Sequence, residues 1–279
     1  GSSDKAISTA ALKCLVALAK SSDPRGKDSL LRTDVLPTLV KNLASPEERT
    51  AEMAAEIIAG LCSDVRCRDE LLKQDSVQRL LAMLSTSRND SLRAKAVVAI
   101  GGVCCDERFW QIITQSNGLT MLIELLFNPN SGASVKLGVC KAVAQLVTDR
   151  NHALTFQRAG GAHALTSVIG LQSEGDTAGA AADALANLTK AIDAANVHVD
   201  DTTLRRLVVM LNEAGAASAM SCISALCDSE QTRQRFLTIG LENALVHASK
   251  HHPEDLARQR AMQVLVKVLK EGGDGGSRL

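Results

Sequence analysis

The chain has 279 residues, and its 31 Lys plus Arg balance 31 Asp plus Glu. A neutral chain lacks the basic footprint of a phosphate binder, and four Phe, one Trp and no Tyr make no stacking platform, so nucleic acid is excluded as the expected partner. No apolar run reaches the length of a membrane span, no signal-peptide pattern is visible, and the eight cysteines form no CxxC pair or metal-finger spacing.

From the N-terminus, Gly1-Ser2-Ser3 reads as a cloning remnant, and residues 1–4 are set aside as a tag. Residues 5–20 predict a long helix closing near Leu18. Val35 to Val40 predict a helix with Pro37 in its first turn, where a missing N–H costs little. A longer helix over 47–62 follows, with Met53, Ala54, Ile57, Ile58 and Leu61 forming a wide buried stripe. The same order then recurs. Short helices are expected over 66–74 and 107–116, and long ones over 88–105 and 131–148, with helices carrying Leu80 and Leu122 between them. The long helices close at Asp64, Asp106, Asp149 and Ser229. Asp34, Asp75, Asn117-Gly118, Gly160-Gly161 and Asp200-Asp201 precede the middle helices, where such residues cap a helix or take a sharp corner. The glycine-rich stretch 272–276 predicts a flexible tail over 271–279.

Two apolar ladders make the recurrence quantitative. Leu39, Leu80, Leu122, Leu165, Leu207 and Leu245 are separated by 41, 42, 43, 42 and 38 residues. Leu18, Leu61, Val103, Leu146, Leu188, Leu226 and Val268 are separated by 43, 42, 43, 42, 38 and 42. Periods in this range mean stacked repeats, each burying its apolar face on its neighbours. Cys62, Cys104 and Cys227 directly follow ladder residues, and Cys14 and Cys222 stand four before them. Cysteines in repeat register behave as small buried apolar residues, which fits reduced thiols in the cytoplasm or nucleus.

Ala159-Gly160-Gly161-Ala162-His163-Ala164-Leu165 and Ala182-Asp183-Ala184-Leu185-Ala186-Asn187-Leu188 resemble armadillo consensus segments, and the three-helix unit resembles the armadillo repeat over residues 5–270. HEAT repeats are the alternative, but they have two helices per unit. The resemblance implies an all-α, right-handed α-solenoid of about six full three-helix repeats (26–64, 65–106, 107–149, 150–191, 192–229 and 230–270) plus an N-terminal partial repeat. That partial repeat is either the trace of a longer array or a cap.

The resemblance also implies a concave groove lined by third helices, where an extended partner segment lies. In peptide-binding armadillo proteins an Asn directly before the second-ladder residue clamps the peptide backbone, because an amide both donates and accepts. Here that position holds Ala17, Gly60, Gly102, Gln145, Asn187, Ala225 and Lys267. Four residues earlier stand Lys13, Glu56, Val98, Lys141, Asp183, Ser221 and Gln263, with no Trp among them. This departure puts binding of nuclear-localisation signals in doubt. The expected groove residues are Lys141, Gln145, Asp183 and Asn187, with Glu56 and Lys95. An ordinary Lys–Asp pair on a solvated face is the other reading, and such pairs contribute little. Gly60, Gly101 and Gly102 either admit a partner helix or let the neighbouring repeat pack closely.

Trp110 is a possible exposed anchor or a core residue. His247, His251 and His252 include an i, i+4 pair, but no HExxH or nearby acidic ligand completes a metal site, and a solvated helix end is expected. Ser277-Arg278-Leu279 resembles a peroxisomal address or a PDZ ligand if the terminus is natural. No nucleophile elbow, phosphate loop or dinucleotide fingerprint occurs. The expected function is therefore a non-enzymatic cytoplasmic scaffold or adaptor binding a protein or peptide segment, without cofactor, metal or small-molecule substrate. The alternative is a chaperone-like armadillo domain of the UCS type. A small-molecule sensor would need a basic pocket between repeats.

Overall fold

The computed structural model describes residues 2–21, 24–33, 35–104, 106–170, 175–213 and 215–273. Gly1, Asp34, Cys105 and the Ser277-Arg278-Leu279 terminus lie outside them. Among the described residues all regular structure is helical. The chain divides into two units, Gly1–Ala142 and Val143–Leu279.

In the first unit, α1 (Ser2–Lys20) precedes two complete triplets: α2 (Pro24–Arg32), α3 (Val35–Asn42) and α4 (Glu48–Leu61), then α5 (Val65–Leu72), α6 (Ser76–Thr86) and α7 (Asp90–Val103). α8 (Glu107–Gln115), α9 (Gly118–Phe127) and α10 (Ala133–Leu146) form a third triplet, and the division falls inside α10. The third helices α1, α4 and α7 pack side by side. The second unit continues with α11 (Arg150–Arg158), α12 (Gly161–Gly170) and α13 (Gly175–Ile192), then α14 (Asp201–Met210) and α15 (Ala216–Leu226), then α16 (Glu230–Thr238), α17 (Leu241–His251) and α18 (Asp255–Gly273). There α13, α15 and α18 are the side-by-side third helices. The last helix runs to Gly273, past the expected boundary at residue 270.

Helix boundaries follow from capping. The carboxylates of Asp64, Asp106 and Asp149 accept backbone N–H groups at the starts of α5, α8 and α11, satisfying donors that no helical carbonyl reaches. The corner between first and second helices is a left-handed residue: Asp75 (φ 53°), Asn117 (φ 56°), Gly160 (φ 87°) and Gly240 (φ 87°). Asn, Asp and Gly tolerate this conformation, in which other side chains crowd the backbone.

The ladders form the core. All six first-ladder leucines are buried, as are the second-ladder residues from Leu61 to Val268. Leu18 is the exception at 41% exposure, and Cys14, expected to be buried, is exposed with it. Cys62, Cys67, Cys104, Cys140, Cys222 and Cys227 are buried. Burial pushes the Cys67 thiol up to about 11 and Cys140 up to about 12, so both stay protonated and unreactive at neutral pH.

One repeat departs from the three-helix expectation. Between α13 and α14 the first helix is replaced by a 3-10 turn, Ala194–Asn196, and an extended strip to Asp200. Asp193 sits at φ 82° and accepts the Ala195 N–H, while Val197 and Val199 are buried and His198 faces solvent. That alternation suits extended chain rather than helix. This strip spans the usual distance, because Leu188 and Leu207 are 19 residues apart, like Leu146 and Leu165. The 38-residue step comes instead from α15, which has eleven residues where α4 and α7 have fourteen.

Candidate functional site

The position directly before each second-ladder residue divides the third helices into two kinds. In the first unit it is glycine or alanine. A Cβ built at Gly60 would sit 2.9 Å from the Ala19 carbonyl oxygen, and one at Gly102 would sit 3.0 Å from the Cys62 Cβ. These glycines therefore serve close packing of neighbouring third helices.

In the second unit the same position holds Gln145, Asn187, Ala225 and Lys267, and the Asn187 and Lys267 side chains reach to the preceding third helix. Asn187 Nδ2 donates to the Ala144 carbonyl at 2.9 Å, and Lys267 Nζ donates to the Ser224 carbonyl at 2.7 Å. Ala144 and Ser224 both stand two residues before a ladder leucine, in the last helical turn, where carbonyls lack a helical partner. Both side chains are thus helix caps across a repeat boundary. Asn187 is half-buried, and its amide carries a second N–H and a carbonyl oxygen for a further partner. Lys267 also pairs with Asp228 at 2.5 Å.

Glu56 and Lys95 meet on the first unit's third-helix face. Glu56 joins Lys20 of α1 and, at 3.2 Å, Lys95 of α7, so one carboxylate links three successive helices. Burial alone would raise the Glu56 carboxyl, but hydrogen bonds from the two lysines outweigh it and hold it below the usual range. Lys141, also in the first unit, and Gln145, in the second, are exposed on α10. Asp183 is exposed on α13 and accepts the Ser218 hydroxyl at 2.9 Å.

A cleft of about 660 Å³ opens on the second unit's third-helix face, between α13 and α18 and above α15. Asp183 and Lys190 stand on one side, Arg260 and Lys267 on the other, and Ser221 and Ser224 form part of the floor. The floor of the cleft is low because the eleven-residue α15 presents the short side chains Ala217, Ser218, Ser221 and Ser224 there. Sequence reasoning singled out Asp183 but not Lys190, Arg260 or the serine floor. The available signal was Ala225 in the clamp position, coinciding with the 38-residue step.

Two other expected features are structural. Trp110 is 5% exposed and is not a surface anchor. It packs inward with Phe109 and Ile113, because the apolar stripe of α8 is wide enough to take both adjacent aromatics. Of the histidines, His247 and His251 lie with ring centroids 4.9 Å apart, and His252 stands apart from them. His252 is buried and its Nδ1 accepts the Glu254 N–H at 3.1 Å, whereas His247 bonds Asn212 at 3.1 Å. Among the described residues no group of three or more His, Cys, Asp or Glu side chains is arranged to hold a metal, and no helix is long and apolar enough to cross a membrane.

No family model and no curated protein matches the sequence. In structure the chain is similar to an engineered protein solved by a structural-genomics consortium, at TM-score 0.71 and 19% identity, over 86% of this chain and 98% of that one. It is also similar to a designed armadillo repeat protein at TM-score 0.65 and 19% identity, over 84% and 99% of the two chains. A second designed armadillo repeat protein, solved in complex with the peptide (KR)4, aligns at TM-score 0.66 and 18% identity, over 84% and 98%. The fold is that of the armadillo repeat.

Proposed function

We propose that this armadillo-fold chain is a non-enzymatic scaffold that holds an extended protein segment along its third-helix face. The observation that carries the reading is the second unit's cleft, a polar trough along three successive third helices, with Asp183 and Lys190 on its α13 side and Asn187 between them in sequence on the same helix. A designed protein of the same fold binds a peptide, which supports this use of the fold. An extended segment presents one N–H and one C=O per residue, and Asn187 keeps one donor and one acceptor that match them. The roles of Lys141 and Gln145 as flanking polar contacts, and of Glu56 and Lys95 as a second contact patch in the first unit, belong to the same proposal. Buried, protonated thiols support a reducing compartment, the cytoplasm or nucleus.

The test is affinity purification of the chain from cell extract, unaltered and with Asp183→Lys plus Asn187→Ala. The expected outcome is loss of the partners that the unaltered chain retains. Asn187→Ala also removes a helix-capping bond worth about 1 kcal/mol, so Asp183→Lys alone is run beside it with a thermal melt. Partners retained by both folded variants would overturn the assignment of this face.

A further inference from the structure

The cleft above α15 is not electrically balanced. Lys190, Arg260 and Lys267 face a single lining carboxylate, Asp183. Asp183 is engaged by the Ser218 hydroxyl, and Lys267 by Asp228 beyond the rim. Lys190 and Arg260 are exposed, and neither forms an ion pair among the described residues. Many other arginines of the chain do pair, including Arg66, Arg108, Arg206, Arg235 and Arg258. Lys190 and Arg260, two cations without an ion-pair partner among the described residues, therefore flank a floor of serine hydroxyls, which donate well to an anionic oxygen, and Lys190, Arg260 and Lys267 outnumber the two carboxylates Asp183 and Asp228.

We infer that this cleft selects a partner segment bearing acidic side chains, Asp or Glu, with Lys190 near Ser224 at one end of the trough and Arg260 near Ser221 toward the other as the cations that hold them. This rests on the groove reading above and adds the chemistry of the occupant. An aspartate or glutamate side chain fits a trough whose missing bulk is that of a shortened α15, and charge complementarity favours it over a basic one. A segment of alternating Lys and Arg, as in the designed complex, would meet two unpaired cations here and be repelled.

The experiment is fluorescence anisotropy with two labelled probes, (Glu-Ala)5 and (Lys-Ala)5, at low and high salt. The unaltered chain binds the acidic probe more tightly, by about tenfold at low salt, and loses that preference as salt rises. Lys190→Glu plus Arg260→Glu, both at exposed positions, abolishes or inverts the preference while the helical circular dichroism is unchanged. Equal or tighter binding of the basic probe, or an acidic preference untouched by the reversal, overturns the inference. Citrate displacing the acidic probe at a concentration matching the probe's own affinity also overturns it, because the cleft would then be a small-anion site. If cellular partners are lost on Asp183→Lys but retained on the Lys190 and Arg260 reversal, the groove reading stands and the acid selectivity falls. If both leave the partners bound, the groove reading itself falls.

Discussion

At the scale of single residues, the chain spends its charges on its own architecture. Arg66 and Arg108 each bond the cap carboxylate two residues earlier, Asp64 and Asp106, and each also reaches back to an acid of the preceding repeat, Asp28 and Asp69. Hydrogen bonds from those arginines hold the Asp64 and Asp106 carboxyls below the usual range, and the backbone N–H of His152 does the same for Asp149. Because the folded values lie below the unfolded ones, the stability these caps contribute is complete above the ordinary carboxylate range. It drains away as pH falls through the folded values. The thermal midpoint should therefore drop on acidification below about pH 4. Asp106→Ala should cost about 1 kcal/mol at neutral pH and make the acid-side fall shallower, as read by urea unfolding at several pH values. Asp64, Asp106 and Asp149 were visible in the sequence as residues closing long helices. Their role is to open the following ones, a distinction of one or two residues that spacing alone does not make.

At the scale of elements, the third helices differ in how they meet. α1, α4 and α7 are drawn together at Gly60 and Gly102, whereas Asn187 ties α13 to α10 and Lys267 ties α18 to α15 by reaching to carbonyls. Gly60→Val should wedge α4 away from α1 and destabilise the first unit by about 1–3 kcal/mol, because the obstructing atoms are Ala19 backbone and cannot swing aside. Denaturant unfolding checks this, and a neutral result would remove the close-approach account. The long helices were legible because their apolar stripes are wide and their register is repeated. The missing first helix before α14 was not. Ala194 and Ala195 suit a helix, and only the burial of Val197 and Val199 with solvent-facing His198 between them selects extended chain. Nor could spacing say which element lost residues to give the 38-residue step, since both ladders record the loss without locating it. Burial of Trp110 was also undetermined, because adjacent aromatics at a helix start fit either a wide stripe or one exposed ring.

At the scale of the molecule, the chain is net neutral and is built on a repeated apolar core of armadillo fold. The candidate face lies where the repeat is least regular, over α15, and it is there that composition departs from the neighbours. The clamp residues expected from family resemblance are mostly absent, and Asn187 is engaged in capping α10 through Ala144. In the proposed reading, recognition falls to the trough, where side chains are short and Lys190 and Arg260 have no ion-pair partner among the described residues, more than to a periodic amide ladder. The direct test is site-specific photo-crosslinking in cell extract, with a photoreactive residue in place of Ser221 in the trough and, separately, in place of exposed Glu242 on α17. The account predicts a discrete covalent adduct from position 221 that is absent from position 242 and is lost with Lys190→Glu plus Arg260→Glu. An adduct of equal yield from both positions, or from position 242 alone, would contradict it.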